Sequence, residues 1–175
     1  MENLYLLLVI VLAVLAIGDL IVGVSNDAVN FLNSAVGSKA ISLKTIMILA
    51  GLGVAFGAFF SSGLMEVARK GIFNPGEFYF DEIILIFTAV MLTDILLLDF
   101  FNTLGMPTST TVSIVFELLG AAVFMSLIKI TSSSGEISDL INYINTSKAI
   151  QIISGIVLSI IVALTIGAIV QWICR

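Results

Sequence analysis

Five apolar runs, each about long enough to cross the hydrocarbon core of a bilayer, leave this chain few folds to adopt. They cover residues 4–24, 41–64, 83–101, 111–128 and 149–173. Inside a bilayer every backbone N–H and C=O must be satisfied by the segment itself or by a closed barrel. These runs are continuous rather than alternating, so they predict helices. Over 175 residues the chain is 59% hydrophobic and only 11% charged. With a mean hydropathy of +1.21 it is too apolar for a water-soluble domain. The first run is too long for a signal-peptide core and has no positive flank, which makes it a span rather than a cleaved leader. The expected fold is an all-α integral membrane protein of about five spans, multi-pass in the cell membrane.

Two polar stretches interrupt this pattern. Residues 25–38 interleave Asn26, Asp27, Asn30 and Asn33 with apolar side chains, which suits neither a lipid-facing helix nor a solvated loop. They predict a broken or re-entrant segment, tolerated at membrane depth only where it is buried in protein or lines a wet cavity. If residues 26–37 are helical instead, Asn26, Asn30, Asn33 and Gly37 share one face. Amide and carboxylate oxygens there suit a hard cation, and the scarcity of thiol and imidazole argues against zinc or copper. The second stretch, residues 105–113, holds Gly105, Pro107 and five hydroxyls: Thr108, Ser109, Thr110, Thr111 and Ser113. Glycine allows a sharp turn and proline suits a helix's first turn, so a helix starts here with free N–H groups and hydroxyls. Such a start binds anions. It is equally the composition of an ordinary N-cap.

Charge placement adds a constraint. Twelve acids face seven bases, and no base precedes Lys39 or lies between Lys70 and Lys129. Asp19, Asp27, Asp94, Asp99 and Glu117 therefore fall in or beside apolar runs that contain no basic partner. An aspartate at the bilayer centre costs about 2.5–3.5 kcal/mol on insertion scales, so these acids call for protons, bound cations or wet helix ends. Asp19 and Asp99 are candidates for wet ends. In the fourth run Thr110, Ser113, Glu117, Gly120 and Ala121 form a polar and small stripe expected to face inward, toward a site or a neighbouring helix. Gly51, Gly53 and Gly57 in the second run favour close helix approach. Glu66, Arg69 and Lys70 offer ion pairs at its end. The chain has no histidine and one cysteine, Cys174, which removes His-ligated zinc and Ser-His or Cys-His catalysis. Nucleic acid is not an expected partner for a chain of net charge −5.

An anion-binding helix start and a cation-suited stretch, with no arginine to hold the anion, describe cation-coupled symport of a small oxyanion. The segments 25–30 with 36–38, and 104–111, resemble the two signatures of the inorganic phosphate transporter (PiT) family. That family writes them roughly as G-A-N-D-V-A-N-x-x-G-T-x-V-G-S and G-[LM]-P-V-S-T-T-H. The resemblance implies Na⁺- or H⁺-coupled phosphate uptake by a bundle of two inverted repeats. It implies that Asn26, Asp27 and Asn30 belong to the Na⁺ and phosphate site and that Ser109, Thr110 and Thr111 hold phosphate. The chain departs from the pattern at Val24, Asn33, Val112, Phe116 and Glu117. Glu117, with Asp94, is a candidate for proton coupling in place of a metal ion.

Each signature occurs once, whereas an inverted-repeat site needs two halves. The expectation is a single transmembrane domain over residues 1–175, with a polar loop at 131–148. It would be either the N-terminal repeat of a longer transporter or one member of an antiparallel dimer. The partners expected are inorganic phosphate, the lipid bilayer, and a second repeat or second copy of the chain. Other readings are a permease for another oxyanion such as sulfate, and a non-transporting assembly subunit. Basic residues divide three against four between the two sides, which leaves orientation open. An intramembrane Ser-Lys hydrolase is disfavoured, because Lys129 lies about 28 Å along a helix from the hydroxyl cluster. The chain is not expected to be an enzyme.

Overall fold

A single helix, α1 (Glu2–Ser38), runs without a break through both the first apolar run and the polar stretch that follows it. The computed structural model describes residues 2–60, 71–106, 108–133 and 135–174, with side chains from Leu4 onward. At about 1.5 Å per residue α1 is about 55 Å long, well beyond a hydrocarbon core of about 30 Å. The break expected over residues 25–38 is absent. Its polar side chains are satisfied without one: Ser25 Oγ donates to Ile21 O, Ser38 Oγ to Ala35 O, and Asn26 and Asn30 reach another segment. Hydroxyls that bond back to their own helix remove the need for irregular backbone.

The remaining helices are α2 (Leu43–Phe59), α3 (Phe80–Thr103), α4 (Thr110–Ser132), the one-turn α5 (Leu140–Tyr143) and α6 (Thr146–Ile173). Among the described residues four helices are long and apolar enough to cross a membrane: α1, α3, α4 and α6. The described part of α2 is a shorter apolar helix of 17 residues. The rest of the second run, its Glu66, Arg69 and Lys70, and also Pro107 and Arg175, lie outside the described residues. No strand occurs among the described residues, so the chain is an all-α membrane fold.

The turn between α3 and α4 follows from its sequence. Gly105 takes φ +68°, its N–H donates to Asn102 O, and the Met106 N–H reaches Phe101 O, both at 3.0 Å. This left-handed cap closes the last carbonyls of α3. Ser109 then caps α4, its hydroxyl accepting from the Val112 N–H at 3.4 Å. The chain reverses, and α3 and α4 pack antiparallel.

The core gathers at the other end of this pair. Ile72, Phe73 and Phe78 pack with Ile86, Val90, Leu118, Ala122 and Ile144. The 72–74 backbone is tied to the α5 region by Asn74 N to Tyr143 O (2.8 Å) and Asn145 N to Ile72 O (3.0 Å). Lys129 fastens this end: its Nζ bonds Glu82 Oε2 and the Glu77 carbonyl, both at 2.8 Å, and lies 4.6 Å from the Tyr79 ring centre.

Among the described residues, the glycines of α2 have no close neighbour of the kind they predict. A Cβ built at Gly51, Gly53 or Gly57 would meet nothing within 4 Å, and Ile46 is the helix's sole buried residue. Helix α6 buries only Ala149, near its start. Both helices present bare apolar faces.

Candidate functional site

Helix α1 lies beside α3 and points the same way. Tyr5 stacks edge-on against Phe80 with ring centres 5.8 Å apart, a Cβ at Gly18 would lie 3.4 Å from Ile95, and Asn102 Nδ2 donates to Val22 O at 3.5 Å. That register carries residues 26–30 of α1 to the start of α4. A Cβ at Gly23 would lie in ordinary contact with Thr110 Cγ2, at 3.6 Å, which places α1 against the start of α4.

At this junction Asn26, 0% exposed, grips one residue by its backbone. Its Nδ2 donates to Thr108 O at 2.6 Å and its Oδ1 accepts from the Thr108 N–H at 3.1 Å. Asn30 Nδ2 adds a longer bond to the same carbonyl, 3.3 Å. One residue along, Thr110 Oγ1 donates to Asp27 Oδ2 at 2.9 Å. The two polar stretches, some 80 residues apart in sequence, thus form one cluster where α4 begins. Its chemistry is mixed: hydroxyls and the positive end of a helix dipole beside a carboxylate and amide oxygens.

The candidate residues differ in how they sit there. Asp27 and Thr110 are half-buried partners, and Asn26 has both amide atoms committed to Thr108. Asn30 is exposed but bonded. Ser109 is exposed and caps α4, as the simpler reading of this stretch expects. Thr111 is exposed. Asn33 is exposed, and a Cβ at Gly37 would meet nothing within 4 Å.

Deeper in the bundle a second cluster forms from α1, α3 and α4. Asp94, 1% exposed, has the carboxyls of Asp19 and Glu117 as neighbours. Ser113 Oγ donates to Glu117 Oε1 at 2.8 Å. Asp99, in contrast, is exposed. Of the stripe expected on α4, Thr110, Ser113, Glu117 and Ala121 do turn inward, while Gly120 is exposed. The buried face continues through Leu118, Ala122, Ser126 and Ile130.

Three participants have roles that the sequence did not indicate. Thr108 contributes its backbone, which no side-chain pattern reveals. Asn102 contributes a bond to α1. Asp19 was visible as an uncompensated acid, but its meeting with Asp94 depends on the register between α1 and α3.

Comparisons with known proteins agree with the motif resemblance. Residues 23–175 match the sequence profile of the phosphate transporter family. Among relatives, a provisionally named phosphate permease of Thermococcus kodakarensis is 37% identical over 99 residues, covering 55% of this chain and 24% of that protein. One from Pyrococcus furiosus is 36% identical over the same length and coverage. One from Helicobacter pylori is 34% identical over 99 residues, 55% of this chain and 19% of its own length. The chain spans about a quarter of the length of the archaeal relatives it matches. No solved structure matches. With both motifs joined in one cluster and the family profile covering all but its first 22 residues, the chain belongs to the phosphate transporter family.

Proposed function

We propose that this chain forms one half of a secondary transporter that carries inorganic phosphate across the cell membrane together with a cation, Na⁺ or H⁺. The reading rests on one observation above all, the 2.9 Å bond from Thr110 Oγ1 to Asp27 Oδ2 at the start of α4. A phosphate at this helix start meets backbone N–H groups, the positive end of the helix dipole, and the hydroxyls of Ser109, Thr110 and Thr111, with Asn30 at the edge. It also meets Asp27, whose carboxylate repels it. A cation beside Asp27 removes that repulsion, so anion and cation bind better together than apart, which is the thermodynamic condition for symport. For Na⁺ the oxygens come from Asp27 and Asn30, with Asn26 holding the backbone around them. For H⁺ the candidates are Glu117 and Asp94. The bare faces of α2 and α6 suit a second inverted repeat or a second copy of the chain, packed with lipid. The chain acts as a transporter and not as an enzyme.

Radiolabelled phosphate uptake into proteoliposomes under imposed Na⁺ or proton gradients tests this, with equilibrium phosphate binding to the purified chain as companion. Expected is gradient-dependent uptake that falls about tenfold in Thr110→Ala, the equivalent of about 1.4 kcal/mol for a lost hydrogen bond to a charged group. Asp27→Asn should abolish the dependence on the gradient. Binding and uptake indifferent to both substitutions overturn the site. Equal competition by sulfate overturns phosphate as the preferred oxyanion.

A further inference from the structure

Carboxyls from three different helices neighbour one another inside the α1–α3–α4 bundle, and among the described residues no base faces them. Asp94 of α3 is almost wholly enclosed, with Asp19 of α1 and Glu117 of α4 as its carboxyl neighbours. Asp19 Oδ1, Asp94 Oδ1 and Glu117 Oε2 are sealed from solvent and find no hydrogen-bond donor. The hydroxyl of Ser113 goes to the other oxygen of Glu117. The neighbours left to these oxygens are carboxyl groups, and a carboxyl accepts but does not donate unless it carries a proton. An enclosed polar atom without a partner costs free energy, so this arrangement calls for a bound species.

We infer that Asp19, Asp94 and Glu117 form a buried proton-binding site, separate from the hydroxyl and carboxylate cluster at the start of α4. A proton shared between two carboxyl oxygens turns each repulsive contact into a short, charge-assisted hydrogen bond. Among the described residues no group of three or more Asp, Glu, His or Cys side chains is gathered so as to hold a metal ion. A proton needs only two oxygens. The charged groups around the site are acids on every element. Asp27 lies eight residues along α1, Asp99 five along α3, and the nearest base of α4, Lys129, is about 18 Å from Glu117 along the axis and is bonded to Glu82. Lys39 and Lys44, at the far end of α1 and on α2, are exposed and at least 20 residues beyond Asp19. As a proton site the cluster stands on this geometry. As the coupling site for phosphate it rests on the transport reading, and α4 is the element that links the two: Glu117 lies seven residues, about 10 Å, beyond Thr110.

Infrared difference spectroscopy on the full chain in lipid nanodiscs reads the proton directly, through the carbonyl stretch of a protonated carboxylic acid and its shift in deuterated water. At neutral pH the wild type should show this band. Asp94→Asn should remove it, Glu117→Gln and Asp19→Asn should each weaken or shift it, and Asp27→Asn should leave it intact. Far-UV circular dichroism reports that each variant is folded, and the two outer substitutions carry the test if Asp94→Asn does not fold. A wild type without the band, or a band unchanged in all three variants, overturns the site. So does a band that disappears on adding Na⁺ at constant pH, which would identify a metal ion instead. A wild type that shows the band but binds no phosphate would sink the transport reading and leave the proton site standing.

Discussion

Replacing Asn26 with alanine tests the clamp on which the geometry of the junction depends. The side chain is fully buried and makes two hydrogen bonds to the backbone of Thr108, at 2.6 and 3.1 Å. The two losses are unequal. The Thr108 carbonyl keeps the Asn30 amide at 3.3 Å, so its loss is about 1 kcal/mol. The Thr108 N–H loses its acceptor in a half-buried setting, which costs about 1–3 kcal/mol. The total is about 2–4 kcal/mol, before any contribution from the cavity left behind. Asn26→Asp should cost at least as much, because it keeps an acceptor for the N–H but turns a second oxygen against the Thr108 carbonyl. Thr108→Ala should cost under about 0.5 kcal/mol, because Asn26 bonds that residue's backbone and not its hydroxyl. Equilibrium unfolding in mixed SDS–detergent micelles, followed by far-UV circular dichroism, measures all three. If Asn26→Ala unfolds like wild type, or if Thr108→Ala is as costly as Asn26→Ala, the clamp is not what holds α1 to the start of α4.

Two further substitutions probe the ends of the α3–α4 pair. Gly105→Ala forces a side chain into a backbone at φ +68° and should destabilise by about 1–2 kcal/mol, with Gly105→Asn costing less, by the same unfolding assay. Lys129→Met keeps the aliphatic stem among Phe78, Tyr79 and Tyr143 but gives up the bonds to Glu82 and the Glu77 carbonyl. It should cost about 1–3 kcal/mol, whereas Glu82→Gln, which can still accept from the Tyr79 N–H, should cost less.

Much of this architecture is legible in the chain because membrane folds are written in long hydropathy runs. The α3 and α4 spans and the turn between them follow from the apolar runs, Gly105 and Ser109. The approach of Asp27 to Thr110 was implied by two polar stretches that had no other use in an apolar chain. Residues 25–38 misled for a local reason. Their composition reads as a break, yet the helix continues because Ser25 and Ser38 bond their own backbone and Asn26 finds Thr108 across the bundle. The clamp itself was hidden, since a side chain that binds another residue's backbone leaves no complementary residue type to notice. Asp19 was hidden differently. Spacing within α1 says which residues share a face, but not which face of α3 it meets. The glycines of α2 point to a close neighbour, and among the described residues none lies within 4 Å of a Cβ built at Gly51, Gly53 or Gly57.

The inner faces of the three helices also explain how two polar clusters can be neighbours without merging. On α3, Leu98 is 0% exposed and lies one turn from Asp94 on one side and one turn from Asn102 on the other. A Cβ built at Gly23 of α1 would meet both Leu98, at 3.8 Å, and Thr110, at 3.6 Å, so the leucine fills the level between the acid cluster and the junction. Beside this leucine, α4 carries the two hydroxyls that face the clusters: Ser113, bonded to Glu117, and Thr110, bonded to Asp27. Under the proposed reading the two clusters are therefore linked through α4 itself, with Ser113 and Thr110 one turn apart on the same helix.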